Sequence, residues 1–145
     1  MKKIIAILMT LCLFVGLCAC SSSSTTNTTE PEATLSPVEQ AKEKLAEAYN
    51  TCCNGSDKTY AKLGSDKMSL TIDTKPKDTY YSGQSDANAA IIALNDFLGL
   101  PSSLLEKFQS TRPIDGTKSQ DCGVYTVTWN FSPDNGLKII YEVNP

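Results

Sequence analysis

Two runs of strict alternation close the chain. Tyr125, Val127, Trp129 and Phe131 alternate with Thr126, Thr128 and Asn130, and Leu137, Ile139, Tyr141 and Val143 alternate with Lys138, Ile140 and Glu142. A period of two puts every large residue of such a run on one side of a strand. Ser132-Pro133-Asp134-Asn135-Gly136 between them has turn composition, so the runs read as an antiparallel hairpin. Opposing Phe131 to Leu137 brings Trp129 to Ile139 and Val127 to Tyr141. One face of the hairpin is then wholly apolar, and something else in the chain must cover it.

Helices supply the cover. Ser36-Pro37-Val38-Glu39 carries a capping serine, a proline suited to the first helical position and a glutamate three residues after the cap. Val38, Ala41, Leu45, Ala48 and Cys52 follow on one stripe, with Glu39 and Lys42 spaced as an outward pair. Asn54-Gly55 ends this helix. A second helix, capped by Ser85 or Asp86, presents Ala90, Ile91, Leu94 and Leu98 and stops at Gly99. Leu100-Pro101 opens a shorter third one, with Leu104, Leu105 and Phe108 inward. Met68, Leu70 and Ile72 alternate with Ser69, Thr71 and Asp73 as a half-buried strand. Lys75-Pro76-Lys77-Asp78 turns the chain, Thr79–Ser82 reads as a further short strand, and Arg112–Gln120 reads as a polar loop. The expected fold is α+β in two layers: an antiparallel sheet of three to four strands with helices packed on one face.

The N-terminus obeys different rules. Behind Met1-Lys2-Lys3, Ile4 to Leu17 is apolar apart from Thr10, a run of 14 residues. A membrane-spanning helix needs about 20. Lysines in front and small residues behind mark an export signal. Leu17-Cys18-Ala19-Cys20 resembles the lipobox of bacterial prolipoproteins, in which cleavage precedes a cysteine carrying diacylglycerol. That resemblance implies a signal peptide at 1–19, lipidation with palmitate-type chains at Cys20, and an anchor on the outer face of the cell membrane. Several acyl chains on one cysteine hold where a single chain exchanges. Ser21–Thr34, SSSSTTNTTEPEAT, is too polar to order itself, so 20–35 reads as a lipidated tether with a reach of about 20 Å. Residues 36–145 are left for one small domain. Lysine-rich, arginine-poor usage and the Ser/Thr tether fit a Gram-positive-like host.

Composition narrows the chemistry. Without Lys2 and Lys3 the chain has 11 basic against 16 acidic residues, a balance that does not favour nucleic acid as a partner. There is no histidine, which removes Ser-His-Asp and Cys-His catalysis. Cys52, Cys53 and Cys122 lack metal-binding spacing, and no phosphate-binding loop is present. Neither a cofactor nor a metal is expected. A disulfide from Cys52 or Cys53 to Cys122 would close about 70 residues and add roughly 4 kcal/mol, although Cys122 has the parity of the outer sheet face. Free thiols are the alternative.

Three features remain as binding candidates. Tyr80 and Tyr81 are paired aromatics suited to sugars, peptides or proteins. Arg112, the lone arginine, sits beside Pro113 and suits a carboxylate or phosphate. Thr126, Thr128, Asn130, Lys138 and Glu142 make a polar sheet face. The function this supports is a non-catalytic envelope module that binds a protein, peptide or other envelope component. The alternative is a small envelope enzyme, or an enzyme-inhibitor-like module, using surface carboxylates or a thiol. Leu98-Gly99-Leu100-Pro101 ahead of antiparallel strands is loosely similar to small envelope-assembly lipoproteins and β-lactamase-inhibitor-like modules, although the strand before the helices departs from their order.

Overall fold

Ser36 fixes where the fold begins. Its side chain accepts the Glu39 N–H at 3.2 Å, and the helix α1, Pro37–Cys52, starts at the following proline. In the computed structural model, residues 35–54, 58–75 and 82–145 are described. They run α1, β1 (Ala61–Leu63), β2 (Ser69–Asp73), α2 (Ser82–Leu98), α3 (Ser103–Ser110), a 3-10 turn (Pro113–Asp115), β3 (Lys118–Asp121), β4 (Tyr125–Ser132) and β5 (Gly136–Val143). The expected stripe of α1 holds: Ala41, Leu45 and Ala48 are buried, Val38 and Cys52 pack against the core, and Lys42 pairs with Glu39 at 2.8 Å.

The sheet is antiparallel throughout, in the order β1-β2-β5-β4-β3. The β4–β5 register is the one the alternation dictates, with Phe131 opposite Leu137, Trp129 opposite Ile139 and Val127 opposite Tyr141. Leu70, Ile72, Tyr125, Val127, Trp129, Ile139, Tyr141 and Val143 bury one face. Helices pack there: Ala87, Ala90, Ile91, Leu94 and Leu98 of α2 and Leu104 and Phe108 of α3 join the same core. Fully burying a Leu or Ile is worth about 1.5–3 kcal/mol, so this one-sided layer carries most of the folding drive. The architecture is α+β in two layers.

Several boundaries differ from expectation. The sheet has five strands, because Ala61–Leu63 and Lys118–Asp121 add an edge each. The stretch read as a polar loop from Arg112 to Gln120 therefore contains the 3-10 turn and most of β3. The second helix starts at Ser82, a turn before Ser85 and Asp86, and the third starts at Ser103 rather than at Leu100-Pro101. Of the proposed strand at Thr79–Ser82, Ser82 is helical and the rest lies outside the described residues.

Cys122 lies on the inner side, against its expected parity. Gly123 and Val124 form a tight turn with Gly123 at φ 82°, and the Cys122 N–H donates to the Tyr125 carbonyl at 2.8 Å. Cys122 thus stands opposite Tyr125, an inward residue, and packs against the core. Asn144 clamps this turn, donating to the Gly123 carbonyl at 2.6 Å and accepting from Thr126 Oγ1 at 2.7 Å.

Candidate functional site

Arg112 follows α3 and leads into the 3-10 turn. Its backbone N–H donates to Asp115 Oδ2 at 2.8 Å and its guanidinium reaches Oδ1 at 3.3 Å. These two bonds, backbone first, hold the Asp115 carboxyl below the usual carboxylate range, and Lys118 adds to the effect. Arg112 keeps a side chain 73% exposed. It is a turn device with a spare face, and an exposed pair of this kind adds little to stability.

Asp115 also lines a cleft of about 550 Å³ between the end of α3 and β3, together with Lys107, Ser110, Thr111, Lys118, Gln120 and Trp129. Its wall is fixed by one hydroxyl. Thr111 Oγ1 donates to the Lys107 carbonyl at 2.6 Å and accepts the Trp129 indole N–H at 2.8 Å. Phe108 meets the Trp129 ring edge-on at 5.1 Å, and Lys107 Nζ donates to Gln120 Oε1 across the cleft. Lys107 and Lys118, with Arg112 alongside, set three cations around a single carboxylate, on a chain whose overall balance is acidic. Such a cleft can hold an anionic group by charge-assisted hydrogen bonds.

The thiols sit elsewhere. Cys52, Cys53 and Cys122 are all free, and the bridge from the first pair to Cys122 is not formed. Burial raises each thiol, and Cys53, also facing Cys52, is pushed up to about 11. Beside Cys53, Tyr60 donates to the Asn54 carbonyl at 2.6 Å and is pushed up to about 12, chiefly by burial. The thiolate is the nucleophile and the metal ligand, so these cysteines are protonated and weakly reactive at neutral pH. Among the described residues, no group of three or more His, Cys, Asp or Glu converges as a metal site would require.

Tyr80 and Tyr81 lie outside the described residues. On the outer sheet face, Thr126 and Thr128 are half-buried while Asn130, Lys138 and Glu142 are exposed. One row there crosses all five strands through Lys62, Thr71, Ile140, Thr128 and Ser119. Charges of both signs are mixed on this face.

Of the described sequence candidates, Arg112 stands beside the Lys107 cleft through its bonds to Asp115, and Asn130 and Lys138 line a separate cavity of about 340 Å³ with Asp73, Lys75 and Ser132. Lys107, Thr111, Lys118 and Gln120 were not foreseen, since polar residues on an exposed helix end and an edge strand carry no pattern. Trp129 was read as core, and it is; its indole N–H nonetheless serves the cleft wall. In comparisons with known proteins, no family model matches the chain, and no curated protein or solved structure matches it significantly.

Proposed function

We propose that this chain is a membrane-anchored lipoprotein exposed outside the cell, whose small α+β domain binds an envelope component without transforming it. The observation that carries the reading is Leu17-Cys18-Ala19-Cys20, placed between an apolar run and a Ser/Thr tether. Acyl chains on Cys20 would hold the domain at the outer face of the membrane. The cleft around Lys107, Lys118 and Arg112 suits a carboxylate or phosphate on the bound component, and raised thiols count against a cysteine nucleophile.

Fatty-acid labelling of the full-length protein tests the anchor. The parent chain should incorporate label and fractionate with membranes, while Cys20→Ser should take up none and keep its leader. A parent chain that takes up no label, or a Cys20→Ser protein that takes up as much label as the parent, would defeat the reading. Capture from envelope extract tests the cleft. Lys107→Ala/Lys118→Ala and Arg112→Ala should each reduce capture several-fold. Equal capture by all variants removes the cleft from the proposal, and no capture by the parent reopens the enzyme alternative.

A further inference from the structure

Asn95 is the least satisfied polar side chain among the described residues. It is 3% exposed, yet neither Nδ2 nor Oδ1 has a hydrogen-bond partner. Buried polar groups are almost always paired, and one that is not calls for an explanation. Only its backbone is engaged, the carbonyl accepting the Leu100 N–H at 2.9 Å.

Asn95 lines a groove of about 540 Å³ between α2 and α3, distinct from the Lys107 cleft. The other walls are mainly apolar: Ala89, Ile92 and Ala93 from α2, Leu100 from the linker and Leu105 from α3. Ile92 is 58% exposed, so the outer rim of the groove is apolar as well. Asp96 is the one charged residue lining the groove, exposed and without an ion pair among the described residues. An apolar groove with a few fixed polar groups is the ordinary form of a ligand site.

We infer that this groove binds an extended peptide segment, with the backbone N–H and C=O of one residue against Asn95, an apolar side chain between Ile92, Leu100 and Leu105, and a basic residue at Asp96. The chemistry of Asn95 selects the occupant. Its side chain offers a donor and an acceptor side by side, and the N–H and C=O of one residue in an extended chain, which point to the same side, satisfy both at once. A helical peptide has its backbone amides already bonded along its own axis, whereas an extended one leaves them free. The unpaired Asp96 and the absence of Lys or Arg from the lining add charge complementarity. Residues two apart in an extended chain face the same way, so the apolar and basic side chains should occupy alternate positions. Neither amide atom of Asn95 touches solvent, and engagement therefore requires the wall to part, most simply at the Leu100–Ser102 linker. The inference does not depend on the lipid anchor or on the Lys107 cleft.

The test is a titration of the uniformly 15N-labelled full chain with acetyl-Ala-Leu-Ala-Lys-Ala-amide, following the Asn95 side-chain resonances. Saturable displacement of these resonances is expected. Ile92→Glu, at an exposed site that folding does not need, should weaken binding at least tenfold. Asn95→Leu should weaken it similarly while leaving thermal stability equal or higher, since it removes an unpaired buried amide. If Asn95→Leu fails to fold, Ile92→Glu carries the decision. Asp96→Asn should weaken the lysine peptide and leave its Lys→Ala counterpart unchanged. Unmoved Asn95 resonances up to millimolar peptide would mean a buried water satisfies the amide, and the inference would fall. It would fall equally if Ile92→Glu bound as well as the parent, or if the resonances moved with protein concentration alone, which would indicate a second copy in the groove.

Discussion

Tyr125 and Tyr141 lie on the same apolar face of the sheet and use their hydroxyls differently. Tyr125 donates to the Ala41 carbonyl of α1 at 3.1 Å, tying sheet to helix, while the buried Tyr141 hydroxyl has no partner. Removing a buried hydrogen bond costs about 1 kcal/mol, and removing an unpaired polar atom from the core relieves a desolvation penalty of similar size. Tyr125→Phe should therefore lower the midpoint of urea unfolding by the equivalent of about 1 kcal/mol, and Tyr141→Phe should leave it unchanged or raise it. A loss in Tyr141→Phe equal to that in Tyr125→Phe would mean that Tyr141 has a partner, such as a buried water. At this scale the sequence identifies residue types well and partners poorly. Arg112 stood out because it is the lone arginine. Nothing in the chain said that its first partner is Asp115, or that Thr111 would join the Lys107 carbonyl to the Trp129 indole.

Elements were legible wherever one side of them is apolar. The hairpin register followed from alternation alone, and α1 followed from its cap and stripe. Ser36→Ala should cost about 1 kcal/mol by removing the acceptor for the Glu39 N–H, read as a lower thermal midpoint with the far-ultraviolet spectrum retained. β3 was missed because Lys118-Ser119-Gln120-Asp121 has no apolar residue on either side; its pairing with β4 makes it a strand. β1 is three residues long, too short for a period to show. Missing β3 also misplaced Cys122, since the Gly123–Val124 turn resets the alternation. Two turn glycines separate conformational strain from steric clash. Gly123 has φ 82° with open space where a Cβ would go, whereas Gly136 has φ 71° and a Cβ there would lie 2.6 Å from Thr74 Oγ1. That hydroxyl accepts the Leu137 N–H at 2.8 Å and fixes the chain leaving β2 against the hairpin. Gly123→Ala should cost about 1 kcal/mol, and Gly136→Ala distinctly more. Equal losses in urea unfolding would show that the Thr74 contact contributes nothing.

At the scale of the whole molecule, the one-sided core sets how stability responds to pH. The thiol of Cys53 and the phenol of Tyr60 lie together at the edge of that core, with Tyr60 also lining a surface cavity. In the folded protein they keep their protons to about pH 11 and about pH 12, against ordinary values of 9.0 and 10.0. Above pH 9 the unfolded chain releases the Cys53 proton while the folded chain retains it. The unfolded state then binds fewer protons, so stability falls with rising pH. Below pH 9 both states are protonated and this contribution is complete; through the folded value near 11 it is lost. A two-unit difference sets an upper bound of roughly 2–3 kcal/mol, reduced where solvent screens the site, and is still appreciable against the 5–15 kcal/mol typical of a small domain. Urea midpoints should therefore be level from neutrality to about pH 8.5 and fall steadily between 9 and 11, with Tyr60 extending the decline towards 12. Cys53→Ala should begin from a lower midpoint, because it leaves a cavity, and should lose the first part of that slope. Two midpoint curves running parallel through pH 10 would show that Cys53 does not hold its proton in the core, and the alkaline limit would then belong to Cys52, Cys122 and the tyrosines.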